Sequence, residues 1–246
     1  MSIPDFNQRS VEPELMDNEP VDFTEFDACL RQLRIINIFT LAYTPTLRWF
    51  SHLYKHGQLK DGSTVLDVGS GYGDMLRCLS NWAAARRLRL QLIGVDLNPF
   101  SKLSAECATS QNHGIDFNTD NIFSFAPEQK IDYIISSLFT HHLTDEQLVE
   151  FIRWMDLRAC QGWLINDLHR HPIPYYVIKY IVRLLSCNRL IRHDAPVSVA
   201  RAFTVSDLKR LLEATGIPAH RVSIKWHFPF RYGVACSRSW KNAKTS

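Results

Sequence analysis

Val65-Leu66-Asp67-Val68-Gly69-Ser70-Gly71-Tyr72-Gly73-Asp74 is the stretch whose reading decides the fold. A short β-rich apolar run meets three glycines spaced two apart, and a helical pattern follows from Asp74 to Arg87. Glycine belongs there because the backbone must turn tightly and let a ligand approach closely. The loop feeds a helix N-terminus, where free N–H groups gather. In open α/β sheets, ligands sit at the carboxyl ends of the strands. The spacing is G-x-G-x-G, not the G-x-G-x-x-G of dinucleotide-binding turns. Asp67, just before the first glycine, would repel a pyrophosphate and attract a cation.

Outward from this loop, strands and helices alternate. Leu90 to Val95, ending in Asp96, reads as a second strand and Ser101 to Asn112 as a helix. Ile115 to Asn118 and Ile131 to Ser136 read as strands. Thr144, followed by Glu146 and Gln147, opens a helix over 145–159, and Gly162 to Asn166 is a fifth strand. Phe203 to Asp207 opens a helix that Gly216 and Pro218 end. Arg221 to Trp226 and Tyr232 to Cys236 complete seven strands. The pattern predicts an α/β fold: a Rossmann-like, seven-stranded, mostly parallel sheet with helices on both faces. Residues 1–57 are expected to form a lead-in and an N-terminal helical cap. Residues 58–246 form the main domain, with a helical lid insertion after the fifth strand over about 172–201. The first twenty residues, acidic and punctuated by Pro4, Pro13 and Pro20, read as an irregular or mobile lead-in.

The quoted segment resembles motif I of the seven-stranded, class I S-adenosylmethionine-dependent methyltransferases, of the small-molecule type. The resemblance continues through Leu92-Ile-Gly-Val-Asp96-Leu97-Asn98-Pro99, through Asp120-Asn121-Ile122, and through Ile131 to Leu143. It implies S-adenosylmethionine as cofactor, cradled by Asp67, Gly69, Gly71 and Gly73. Asp96 would grip the ribose hydroxyls beside Leu97, Asp120 and Asn121 would hold the adenine, and Ser137 would lie in the loop beneath the sulfonium. Each acid also has a plainer reading. Asp67 and Asp120 suit turn chemistry, Asp96 a strand end, and Asn98 before Pro99 a turn.

His141 and His142 stand either as candidate bases for a phenolic acceptor or as packing residues. Asn166-Asp167-Leu168-His169-Arg170-His171 follows the fifth strand, where His169 and Asp167 read either as acceptor contacts or as a solvated polar loop. No His-x-Glu or tight Asp/Glu/His spacing argues for a metal. The lid, Pro172 onward, is apolar with Lys179, Arg183, Arg189 and Arg192 interspersed. It either packs over the site or lies on a membrane surface.

The net charge of +3, from 28 basic and 25 acidic residues, is nearly balanced. A nucleic-acid binder carries a denser basic face, and the chain lacks the Asn/Asp-Pro-Pro-aromatic motif of base methylation, so no nucleic-acid partner is expected. The six cysteines are scattered and expected to be reduced. With no signal-peptide pattern at the N-terminus, a cytoplasmic location follows as expectation. The acceptor is expected to be small and rather apolar (phenolic, quinone-like or polyketide-derived) and methylated on oxygen or carbon. The rivals are a non-catalytic cofactor-binding partner subunit and, less favoured by the glycine spacing, an NAD-dependent oxidoreductase. Oligomeric state is not legible.

Overall fold

The structure is a computed structural model that describes residues 4–125, 130–185 and 187–238. At its centre lies β1 (Thr64–Val68), buried along its whole length. It pairs in parallel with β2 (Gln91–Asp96) and β4 (Tyr133–Ser137). Burial on both faces is what a near-continuous apolar run means in a parallel sheet. The sheet extends outward through β3 (Ile115–Thr119) and β5 (Gly162–Leu168). The last strand, β7 (Arg231–Ser237), inserts antiparallel between β5 and β6 (Val222–His227), giving the order β3-β2-β1-β4-β5-β7-β6. The strand order reverses between β1 and β4, which opens the crevice at their carboxyl ends.

Helices cover both faces. On one lie α3 (Thr44–Lys55), α4 (Asp74–Ala84) and α5 (Pro99–Ala108), packed through Phe50, Leu76, Leu79 and Ala105. On the other lie α6 (Asp145–Arg158) and α9 (Val205–Thr215), packed through Phe151, Met155, Leu208 and Leu211 against Trp163. A side chain such as Phe151, wholly buried, contributes roughly 1.5–3 kcal/mol relative to leaving it in water. Caps set the helix starts. Thr144 and Gln147 form a capping box, as do Thr204 and Asp207. Asn98 accepts from the Phe100 amide and starts α5 at Pro99, two residues ahead of the expected start, because proline is preorganised for a first turn.

A third layer forms at the crevice end from α1 (Leu15–Asn18), α2 (Phe23–Phe39), α7 (Pro172–Leu184) and α8 (Arg189–Arg201). Their core is Cys29, Val182, Cys187, Leu190 and Ile191, with Leu33, Ile36 and Ile178 against it. The N-terminal cap and the insertion after β5 are therefore one packed unit. Its elements come from opposite ends of the chain, which no local pattern could reveal. Among the described residues, no helix is long and apolar enough to cross a membrane.

The lead-in departs from expectation. Residues 1–3 lie outside the described residues, but from Pro4 the segment is tied down rather than loose. The half-buried Arg9 guanidinium donates to Asp145 Oδ1 (2.7 Å) and to the carbonyls of Arg201 (2.8 Å), Leu143 (2.9 Å) and His141 (3.2 Å). Glu14 is only 4% exposed. The Leu15 and Met16 amides donate to Asp194 of α8. Long-range polar contacts overrode a composition that suggested disorder. Arg9→Ala strips a cation from a part-buried network in which Asp145 keeps Arg210 and the His141 carbonyl keeps Arg201. Urea unfolding should show a loss of about 1–3 kcal/mol, from the hydrogen bonds that only Arg9 makes. A change below about 0.5 kcal/mol would mean that the segment is not anchored in solution.

Candidate functional site

The site begins with backbone geometry. Gly69, Gly71 and Gly73 all have positive φ (+70°, +48° and +70°), which L-residues adopt only with strain. They differ in surroundings. A Cβ on Gly69 would meet Phe139 at 2.7 Å, and one on Gly73 would meet Phe117 at 2.6 Å, so both serve packing as well. Gly71 faces open space, so room for a ligand exists there. The loop is pinned to the end of β2. The amides of Gly69 and Ser70 donate to the Val95 carbonyl (2.9 and 3.1 Å), and the Gly71 amide donates to Asp96 Oδ2 (2.9 Å). Asp96 Oδ1 accepts from the Asn98 amide (3.0 Å). Burial raises the Asp96 carboxyl, and the amides of Asn98 and Gly71 oppose that rise.

Asp67 lies beneath the loop, 2% exposed, and its Oδ1 has no hydrogen-bond partner. Burial, with the charges of Asp74 and Asp96 adding to it, raises its carboxyl well above the usual range. A buried carboxylate without a partner, beside two others, is an incomplete arrangement that a cationic ligand completes. Asp96 retains unused lone pairs, since an ionised carboxylate accepts about four hydrogen bonds. Orphaned acid, open space over Gly71 and acceptor-rich Asp96 together fit a ligand bearing positive charge and sugar hydroxyls. Leu97, 71% exposed, follows at the rim. Asp120 and Asn121 are exposed just beyond β3. Asp120 Oδ1 accepts from the Asn121 amide (2.7 Å), and Asn121 Oδ1 accepts from that of Phe123 (3.0 Å). The Asp120 amide donates to the Asp96 carbonyl (3.1 Å), which holds this turn beside the glycine loop.

The cap supplies residues that sequence reasoning missed. The Tyr43 hydroxyl donates to Asp74 Oδ2 (2.5 Å), and Thr46 Oγ1 lies 3.4 Å from Ser137 Oγ. Asn166 Nδ2 donates to the Ala42 carbonyl (2.7 Å) and to Thr46 Oγ1 (3.3 Å), while its Oδ1 has no partner. Arg231, 2% exposed, donates through Nη2 to Thr40 Oγ1 (3.0 Å). Its Nη1 is also without a partner, and no carboxylate pairs with it among the described residues. Burial pulls its guanidinium down to about 10, so it stays charged at neutral pH. Asn166 and Arg231 thus reach the same turn, residues 40–46, each with one orphaned polar atom. The available signal was a charge at the head of the apolar run Tyr232–Cys236.

The histidines separate into three situations. His141 is 3% exposed, with Nδ1 2.7 Å from Asp167 Oδ1. Burial raises the Asp167 carboxyl, but the His141 charge and hydrogen bond, with Thr140, outweigh it and hold the group well below the usual range. Asp167 is wholly taken up inside the protein. His142 Nδ1 lies 2.7 Å from Asp17 Oδ2. Burial opposes its charge, yet Asp17 and Glu14 prevail and raise it to about 9, so it holds its proton at neutral pH. His169 is drawn downward by burial and by His171 and Arg170. Its Nδ1 accepts from Trp226 Nε1 at 3.3 Å, which leaves the proton of the neutral ring on Nε2. His169 stands among Trp226, Phe230 and Tyr232 rather than against the glycine loop. A cavity of about 630 Å³ between residues 4–12 and Tyr175, Pro196 and Val197 shares no lining residue with the loop either.

Residues 65–157 match the family model for a methyltransferase domain. Three solved structures share the fold. One is the plantazolicin methyltransferase BpumL in complex with SAH, 16% identical, TM-score 0.63, covering 87% of this chain and 95% of its own. Another is a SAM-dependent methyltransferase from Aquifex aeolicus, 17% identical, TM-score 0.59, covering 88% and 98%. The third is the magnesium protoporphyrin IX methyltransferase from Synechocystis PCC 6803 with bound SAH, 18% identical, TM-score 0.56, covering 90% of each chain. No curated protein sequence matches the chain significantly.

The raised Asp67 carboxyl has a measurable sign. Its ionised form destabilises the ligand-free fold above the folded pKa, and that penalty fades as pH falls through it. Asp67→Asn should therefore raise the melting temperature of the ligand-free protein at neutral pH, by about 2–4 °C for each kcal/mol recovered. The gain should shrink as the pH is lowered. A variant less stable than the parent at neutral pH would show that Asp67 is already satisfied.

Proposed function

We propose that this chain, whose residues 65–157 match a methyltransferase domain, uses S-adenosylmethionine to transfer a methyl group to a small, largely apolar acceptor bound as an oxyanion. Phenolic, quinone-like and polyketide-derived compounds with an acidic hydroxyl fit that description. When bound, S-adenosylmethionine supplies a methyl group on a sulfonium that is already a good leaving group. Asp67 would face its positive charge, Gly69, Gly71 and Gly73 would admit its chain, and Asp96 would accept its ribose hydroxyls. Leu97, Asp120 and Asn121 would border the adenine, with Ser137 beside the reacting end.

The observation that carries the acceptor reading is Arg231, buried, charged and without an acid. A desolvated guanidinium with no counter-ion is costly unless a ligand supplies one. A phenolate or enolate does so and is the nucleophile at the same time, through oxygen or its conjugate carbon. This removes the need for a base, which the histidines are poorly placed to provide. The Nε2 atoms of His141 and His142 face Glu14, and His169 stands among Trp226, Phe230 and Tyr232. The chain's remaining task is to align acceptor and methyl group and to exclude water.

Calorimetric titration with S-adenosylmethionine, paired with turnover on small acidic phenols, tests both halves. Asp96→Ala should weaken cofactor binding about 10- to 100-fold, the loss of charge-assisted hydrogen bonds. Arg231→Met should leave that affinity within about twofold while cutting kcat/KM at least about 100-fold. Turnover confined to peptides or nucleic acids, or an Arg231 variant of full activity, would overturn the acceptor reading.

Peripheral membrane contact belongs to the same reading, since lipophilic acceptors partition into bilayers. Ile173, Val177, Tyr180, Ile181 and Leu184 form an exposed apolar stripe along α7, which contains no acid and carries Lys179 and Arg183. The protein should co-sediment with vesicles containing phosphatidylglycerol, and Val177→Glu with Leu184→Glu should abolish this. Equal sedimentation of parent and variant would rule the stripe out.

A further inference from the structure

Glu14, His141 and His142 converge where the N-terminal segment crosses the loop after β4. His141 Nε2 lies 3.6 Å from Glu14 Oε1, and His142 Nε2 lies 3.8 Å from Glu14 Oε2. The three ligand-capable atoms all fall within 4.8 Å of one another. These separations exceed a hydrogen bond. They approach the edges of a small coordination shell. Zinc bonds of about 2.0–2.2 Å to nitrogen and oxygen place tetrahedral ligands about 3.4 Å apart.

The surrounding shell is already built. His141 Nδ1 lies 2.7 Å from Asp167 Oδ1, and His142 Nδ1 lies 2.7 Å from Asp17 Oδ2. A carboxylate on Nδ1 fixes the tautomer that turns the Nε2 lone pair toward a metal, and it raises the basicity of the ligand. The Ser198 hydroxyl donates to Glu14 Oε1 (2.9 Å), which orients the third ligand. Two separate imidazole–carboxylate pairs aimed at one buried carboxylate are more than packing requires.

Charge agrees with this geometry. Glu14, Asp17 and Asp167 bring three negative charges. Arg201 contributes one positive charge nearby, donating to the carbonyls of His141 (3.1 Å) and His142 (2.8 Å). Arg9 also touches the His141 carbonyl, but its charge is paired with Asp145. One divalent cation with two neutral imidazoles would offset the excess of carboxylates around the three ligands. His141 and Glu14 are buried, whereas the His142 side chain is 25% exposed.

We infer that Glu14, His141 and His142 form a site for one divalent transition-metal ion of the zinc class, stapling the N-terminal segment to the loop after β4. The site stands on its own geometry and does not depend on the acceptor.

The test uses the full chain, stripped by a chelator and titrated with cobalt(II) as a coloured stand-in for zinc. One equivalent should bind with the visible absorption of a low-coordinate N/O site, and zinc should displace it. Glu14→Gln and His142→Ala, which spare the buried His141–Asp167 pair, should each weaken cobalt binding at least about tenfold. Zinc should also raise the melting temperature of the parent and slow proteolysis within residues 4–20, and do neither in the variants. Absence of stoichiometric binding would overturn the inference. So would cobalt held equally by the parent and both variants.

Discussion

The hydrogen bond from the Gly71 amide to Asp96 Oδ2 is the contact on which the arrangement of the crevice depends. It joins the turn after β1 to the end of β2, across the strand pair at the centre of the sheet. With the Gly69 and Ser70 amides on the Val95 carbonyl, it holds three consecutive left-handed glycines in one shape. That shape starts α4, leaves open space over Gly71, and places Asp67 beneath the loop with one oxygen unmatched. A side chain at Gly69 or Gly73 would collide with Phe139 or Phe117, so the same residues that open the site also close the core.

Charge is distributed unevenly around this crevice. On the cofactor side, Asp67, Asp74 and Asp96 concentrate negative charge in a poorly solvated place, and Asp67 is raised in consequence. On the side under the α2–α3 turn, Arg231 is a buried cation with one unpartnered nitrogen and no carboxylate in salt-bridge contact among the described residues. The two imbalances have opposite sign and sit on opposite sides of the β4 strand end. A cationic methyl donor and an anionic acceptor would each neutralise one of them. In the proposed reaction, electrostatic complementarity would then favour binding of both reactants before chemistry begins.

The N-terminal segment belongs to the site as much as the sheet does. Arg9 closes over α6 and the loop after β4, Glu14 faces both histidines, and α1 docks on α8 through Asp194. Helices from the beginning of the chain and from the insertion after β5 share one small core around Cys29 and Val182. The loop carrying His141 and His142 is therefore braced from outside by chain ends distant in sequence.

Local sequence alone determined the alternation of strands and helices, the glycine turn and the caps at Thr144, Thr204 and Gly216. Each of these depends on neighbours within a few residues: period, propensity and backbone conformation. The positions of Asp67 and Asp96 beside the glycine turn were legible too, because a motif ties them to it. What only the tertiary structure decided was how charges pair. His141 and His142 look alike in sequence, yet one meets Asp167 and the other Asp17, from opposite directions along the chain. Asp167, which reads either as an acceptor contact or as part of a solvated loop, is buried against His141. Arg231, which no motif singles out, lies in the interior with one guanidinium nitrogen unpartnered. Burial and partner identity are long-range properties, and a charged group's chemistry follows from them rather than from its residue type.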